Sequence, residues 1–494
     1  MVGVLLPPSV GGALTNYALM LMGRVPVNLN YTSSNETIAS CAMQCELDVV
    51  ITSKTFIERF PNMTMPGRTL LLEDALSGPR FSEKMTALAM AWLLPAALLK
   101  RALGAHRVKP MSGATGAVRA GKASPMDELA TVIFSSGSTG DPKGVMLSHF
   151  NIASNISQVT QVFMLDGRDK VLGILPFFHS FGFTAGLWLP AVQGVGVVFH
   201  PNPLDAQVIG GLVEKYKVTF LVATPTFLQA YMRRCTPESF GSLQYVLVGA
   251  EKLPERVAVA FEDQFGIRPL EGYGCTECSP VVTVNGKDYR APGFRQVAAK
   301  RGKIGHPLPG VSVKVVDIDT GLPVAPGVSG MLLVKGPNVM RGYLGRPEKT
   351  AEVLHDGWYT TGDVGMIEED GFVTITDRLS RFSKIGGEMV PHIRIEERLH
   401  ELADVTEQVF AVTALPDEKK GERIIVIHTL PETKLTTVLE KLSKCDLPAL
   451  WKPKANQFVY VESIPTLGTG KMDLRAIKAV AAKLTPSVEA EAQA

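Results

Sequence analysis

The stretch Phe134-Ser135-Ser136-Gly137-Ser138-Thr139-Gly140-Asp141-Pro142-Lys143-Gly144 carries a dense set of groups able to hold an anion. Gly137, Gly140 and Gly144 let successive backbone N–H groups turn inward, Ser135, Ser136, Ser138 and Thr139 add hydroxyl donors, and Lys143 adds a positive charge. The spacing is not that of a Walker A loop, because Lys143 is followed by Gly144. An apolar run, Leu129 to Phe134, precedes the loop and reads as a buried strand; Val145 to His149 follows it, with Ser148 placed to cap a helix. Strand, glycine-rich loop and helix in that order predict a phosphate site. Taken alone, such a loop is as often a plain surface turn, so the rest of the chain has to decide.

The bulk properties exclude several classes. A chain of 494 residues is too long for one ordinary core and predicts at least two domains. A net charge of +2 gives no global pull toward nucleic acid. The six cysteines are scattered without a disulfide framework, which fits a reducing, cytoplasmic location. Cys275 and Cys278 form a C-x-x-C, but no second pair accompanies them, so neither a metal nor a redox centre is expected there. No secretory signal opens the chain.

The apolar run Met85 to Leu99 contains Pro95 and is shorter than the roughly twenty residues a bilayer-spanning helix needs. From Lys84 to Met126 there is no Asp or Glu, whereas Lys84, Lys100, Arg101, Arg107, Lys109, Arg119 and Lys122 are basic. Two readings stand: an interfacial segment, spanning 85–109, on the anionic inner face of the plasma membrane, or a core helix beside a basic linker.

The elements that must position these groups follow an α/β pattern. Residues 1–80 alternate strand-like runs, such as Val2 to Leu6 and Val49 to Thr52, with a helical pattern over Gly12 to Met22. Val171 to Pro176, Val195 to Phe199, Val218 to Ala223 and Tyr245 to Val248 continue the alternation, which predicts two parallel-type sheets covered by helices. Gly305 to Ile375 reads as a small β-barrel or sheet, and 393–461 as helix, strand, strand, helix, strand. The expected organisation is therefore a large N-terminal domain over 1–377, a small mobile α+β C-terminal domain over 378–484, and a disordered tail over 485–494. Because Met1 abuts a core strand, the usual first segment of such a domain is expected to be missing or supplied elsewhere.

Four further stretches decide the function: Tyr273-Gly274-Cys275-Thr276-Glu277, Tyr359-Thr360-Thr361-Gly362-Asp363, the run from Asp377 to Glu388, and Pro465-Thr466-Leu467-Gly468-Thr469-Gly470-Lys471. With the opening loop, in this order, they resemble the adenylate-forming superfamily of acyl-CoA synthetases, peptide-synthetase adenylation domains and luciferases. The resemblance implies that a carboxylate attacks the α-phosphate of ATP, pyrophosphate leaves, and a thiol captures the acyl-adenylate. It assigns the loop, with Thr139 and Lys143, to the departing phosphates, and Glu277 to Mg²⁺, a hard cation suited to carboxylate and phosphate oxygens. It places Thr276 on the α-phosphate, Tyr273 and Gly274 beside the adenine, Gly249, Ala250 and Glu251 in the nucleotide pocket, and Asp363 with Arg378 on the ribose. Lys471 would bridge the acyl carboxylate and the α-phosphate, and His179, Phe183 and Trp188 would bound the acyl pocket. Arg381 aligns with the hinge about which the family's C-terminal domain rotates and is expected to pair differently in each state, while Lys384, Gly386 and Gly387 would line the tunnel for a pantetheine arm.

The stretches Phe199 to Asp205 and Arg381 to Val390 look like the synthetase half of the bacterial bifunctional acyl-acyl-carrier-protein synthetase and 2-acylglycerophosphoethanolamine acyltransferase. That implies long-chain fatty acids as substrates and acyl carrier protein as acceptor, with coenzyme A as the alternative and a non-catalytic lipid- or carrier-binding relic as a third reading. The one His-x4-Asp spacing, His200 to Asp205, has no downstream phosphate-binding partner and reads as chance. An acyltransferase, if one accompanies this chain, is expected on another domain or polypeptide.

Overall fold

A computed structural model describes residues 1–95, 98, 124–135, 142–378, 381–385, 388–417, 421–466 and 472–484. The first unit is a parallel sheet of four strands in the order Pro26–Asn28, Val2–Val4, Val49–Thr52 and Arg68–Leu71. Serines set its helix starts: Ser9, Ser34 and Ser53 each accept a hydrogen bond from a backbone N–H in the first turn. The buried amides of Asn16 and Asn28 exchange hydrogen bonds of 3.2 and 2.8 Å, which fixes the helix Val10–Leu21 against its neighbouring strand.

The second sheet has seven strands. Five consecutive strands, Leu270–Gly274, Tyr245–Val248, Phe220–Ala223, Lys170–Gly173 and Gly196–Phe199, run parallel, and Val281–Val284 and His306–Pro307 add antiparallel strands at the edge beyond Leu270–Gly274. Phe220–Ala223 and Tyr245–Val248 are buried along their whole length, as strands covered on both faces must be.

The phosphate loop departs from expectation. It does not lead into a helix: it joins Leu129–Ser135 to an antiparallel strand, Lys143–Ser148, with Ser135 opposite Lys143 and Phe134 opposite Gly144. The short apolar run Val145 to Leu147 is compatible with either structure. Partners on both sides decide for strand, since Gly342–Tyr343 pairs with its other edge. A side chain at Gly144 would press to within 2.9 Å of Val132, so glycine is what lets the hairpin close. Ser148 does cap a helix, His149–Phe163, one strand later than the loop.

The stretch read as a small barrel or sheet is an antiparallel sheet, in which Trp358–Ile367 pairs with Gly330–Lys335 and with Val373–Arg378. Beyond it, Glu388–Pro391, Phe382–Ile385, Gly421–His428 and Phe410–Asp417 form another sheet, joined by Phe458–Tyr460 and covered by the helices His392–Ala403, Glu432–Lys444 and Leu474–Leu484. The hairpin at its edge and the last helix are additions to the five elements read from the sequence. This unit touches the body through Gln229, which donates to the Thr406 carbonyl at 2.7 Å, through a Lys252–Glu397 ion pair, and through Arg233 and Glu407 at 3.8 Å.

The helix Phe81–Leu93 buries none of its side chains. Phe81, Met85, Leu88 and Trp92 recur at helical spacing and are 79, 47, 53 and 85% exposed, so within the described residues it is not a core helix. Most of the run to 109 lies outside the described residues. Among the described residues no helix is long and apolar enough to cross a membrane.

Candidate active site

One cavity of about 690 Å³ gathers residues of three of the motif stretches: the glycine-rich loop's flanks, Tyr273 to Glu277, and Tyr359 to Asp363. It opens at the C-terminal ends of the parallel strands of the larger sheet, where such folds bind ligands. Ser135 and Lys143 reach it from the hairpin, Gly249 and Ala250 from the strand ending at Val248, Tyr273 to Glu277 from the next strand, and Asp363 from the antiparallel sheet.

The turn after Tyr273 is held by buried polar groups. A Cβ on Gly274 would lie 2.2 Å from the Pro280 carbonyl oxygen, so the backbone passes where only glycine fits. Thr184 donates to the Ser279 carbonyl at 2.7 Å, Ser279 to the Asn338 carbonyl at 2.8 Å, and Asn338 to the Cys278 carbonyl at 2.9 Å. This brace presents Thr276, whose hydroxyl is 3.3 Å from that of Ser180, and Glu277 toward the cavity.

Asp363 is 3% exposed and accepts a 2.5 Å hydrogen bond from the Tyr273 hydroxyl. Burial, then the Asp363 carboxylate, pushes the Tyr273 phenol well up, so it stays a donor. The strand register sets Asp363 opposite Arg378. Tyr343 donates to Glu277 at 2.9 Å, and the Lys143 ammonium sits 4.8 Å from the centre of the same ring. Among the described residues no cluster of three or more His, Cys, Asp or Glu is arranged for a metal. The Glu277 carboxylate, which shares Tyr343 with the Lys143 ammonium, still fits a cation that takes its other oxygens from phosphates.

Other predicted residues fall elsewhere. His179 lines the cavity and accepts at Nδ1 from the Phe181 N–H at 3.3 Å. Phe183 and Trp188 do not reach the cavity wall: they lie on a π-helical turn, Gly182–Trp188, with Phe183 fully buried and Trp188 packed edge-on to Tyr17 at 5.0 Å. Large apolar side chains on a covered helix serve the core. Glu251 also lies off the cavity wall and accepts from Thr226 at 3.0 Å. Arg381, expected as a switching hinge cation, is 6% exposed and paired with Glu396 inside the C-terminal unit. Lys384 lies in the strand Phe382–Ile385 opposite Met389. Ser136, Gly137, Ser138, Thr139, Gly140, Gly386, Gly387 and Lys471 lie outside the described residues.

The sequence reading gave no role to Tyr359 of the Tyr359 to Asp363 stretch, and missed Tyr343 and a wall built by Leu29, Ile38 and Cys41 of the first sheet unit. The signal for Tyr343 was the preceding Gly342, whose φ of 136° only glycine holds comfortably.

The sequence profile of the AMP-binding enzyme family matches residues 1–344. The long-chain-fatty-acid–CoA ligase of Bacillus subtilis (strain 168) is 34% identical over 360 residues, 71% of this chain and 61% of that protein. The feruloyl-CoA synthase of an Amycolatopsis species is 32% identical over 351 residues, 70% of this chain and 69% of that protein. The crystal structure of ATP-bound MatB from Rhodopseudomonas palustris superposes with a TM-score of 0.76 at 25% identity, over 97% of this chain and 88% of that one. With the profile covering well over half of its length and the motif residues gathered on one cavity, the chain belongs to the AMP-binding enzyme family.

Proposed function

We propose that this protein activates a long-chain fatty acid with ATP and passes the acyl group to a thiol. The observation that carries this is the convergence of Asp363, Tyr273, Glu277 and Lys143 on one cavity that continues past Leu29 and Ile38. In the first step the carboxylate oxygen bonds to the α-phosphorus and the bond to the bridging oxygen of pyrophosphate breaks, giving acyl-adenylate. In the second the thiol sulfur bonds to the acyl carbon, its proton is released, and AMP leaves. Asp363 holds the ribose and Lys143 and Ser135 face the leaving phosphates, while Lys471, carried by the small mobile unit beyond 377, neutralises charge at the reacting oxygens. Glu277 would hold Mg²⁺, which neutralises phosphate charge when bound. Gly386 and Gly387 admit the thiol's pantetheine arm.

Coenzyme A is the acceptor favoured by the names of the relatives; the resemblance around Arg381 to Val390 favours acyl carrier protein. Palmitate-dependent exchange of pyrophosphate into ATP is the expected first result, and its absence with folded protein points to the relic. Offering both thiols to the loaded enzyme separates the acceptors by the ratio of thioester formed.

A second reading is favoured by the exposed apolar stripe of Phe81–Leu93. The stripe, with the acid-free basic sequence that follows it, fits an anionic lipid surface. Flotation with phosphatidylglycerol vesicles is expected, and is expected to fall several-fold in Leu88→Asp/Trp92→Asp. Equal flotation of the two proteins excludes this helix as the contact.

A further inference from the structure

Tyr343 joins two parts of the site that the chain otherwise supplies separately. It sits on the two-residue strand Gly342–Tyr343, held on both sides: Leu344 N–H donates to the Gly144 carbonyl at 2.7 Å, Arg341 N–H to the Met146 carbonyl at 3.0 Å, and Tyr343 N–H to Thr350 Oγ1 at 2.9 Å. Those contacts lock the phenol relative to the strand that ends the phosphate loop. Its hydroxyl donates to Glu277 Oε1 at 2.9 Å. Its ring face holds the Lys143 ammonium at 4.8 Å. Tyr343 is only 3% exposed, and a phenol is a hydrogen-bond donor at neutral pH, as the contact with Glu277 requires.

We infer that Tyr343 is a positioning residue for the cation and the phosphates together: its hydroxyl orients the Glu277 carboxylate toward Mg²⁺, and its ring parks Lys143 where the triphosphate arrives. A donor on Oε1 restrains the carboxylate's rotation, so the group that would hold the cation is oriented before it arrives. Outer partners of this kind are worth roughly 10–100-fold in metal affinity. The ring contact is independent of the hydroxyl, so the two roles can be taken apart.

This inference rests on the reading of the cavity as an ATP site. The experiment is calorimetric titration of ATP into wild type, Tyr343→Phe and Tyr343→Leu, over a series of free Mg²⁺ concentrations and with a chelator present. The phenylalanine variant keeps the ring, so ATP binding without metal is expected to match wild type. The Mg²⁺ concentration that half-saturates the enhancement of ATP binding is expected to rise about 10-fold or more. The leucine variant is expected also to lose metal-free ATP affinity, by about threefold. If it does not fold, Tyr343→Met supplies the ring-free comparison. A half-saturating Mg²⁺ concentration in Tyr343→Phe within twofold of wild type overturns the inference and leaves the ATP site standing. Equal losses of metal-free binding in the two Tyr343 variants overturn it as well. No ATP binding by wild type overturns the reading beneath it.

Discussion

Asp363→Ala is expected to raise the KM for ATP in pyrophosphate exchange by about 10²–10³-fold, with a smaller fall in kcat. A carboxylate accepting from two ribose hydroxyls makes charge-assisted hydrogen bonds, each worth about 1.5–3 kcal/mol, and the ribose keeps its place through both steps, so ground-state binding carries most of the loss. The site also pays for the vacancy in another way, because the buried Tyr273 hydroxyl loses the oxygen it donates to. Tyr273→Phe removes that bond while leaving the carboxylate, and should cost about tenfold or less. An Asp363→Ala protein that folds and shows a KM within threefold of wild type would remove Asp363 from the ribose.

Arg381→Met is expected to destabilise the C-terminal unit by about 3–5 kcal/mol, measured as a separate early transition in chemical denaturation. Burial pushes the Glu396 carboxyl up and the Arg381 guanidinium pulls it back; the carboxylate also accepts from the Val412 N–H at 2.6 Å. Removing one partner leaves the other charged and dry, which is the costly half of a buried ion pair. The double replacement Arg381→Met/Glu396→Leu should recover much of that loss, since a well-packed apolar pair avoids both desolvations. A single variant as stable as wild type would show that water already reaches the pair. The placement also bears on the expected hinge role: the Arg381 guanidinium is committed to Glu396 within the C-terminal unit.

The parts legible in the sequence were those carried by neighbours along the chain. Tyr273 to Glu277 and Thr361 to Asp363 are short turns whose glycines and polar groups act within a few residues, and both reach the cavity. The parallel strands were legible because runs such as Tyr245–Val248 are apolar throughout. What escaped was set by distant partners. The apolar run Val145 to Leu147 becomes a strand because Tyr343 lies opposite Val145, and no local pattern states that. The hydrogen bond from Tyr343 to Glu277 spans 66 residues, and Leu29 and Ile38 reach the cavity from another sheet. Phe183 and Trp188 were misplaced for the same reason, since size and apolarity are shared by core and pocket alike.

The three-stranded sheet that frames the phosphate loop has a temporal consequence. Its middle strand is finished by residue 148, but its outer strand, Gly342–Tyr343, is synthesised almost two hundred residues later. A nascent chain therefore carries the loop with one flank open through much of its translation. Tyr343 and Asp363, both on the cavity wall, are then still to be made, so the cavity is completed late in synthesis. Until Gly342–Tyr343 arrives, the outer edge of Lys143–Ser148 lacks its second strand partner and is open to pairing with other chains.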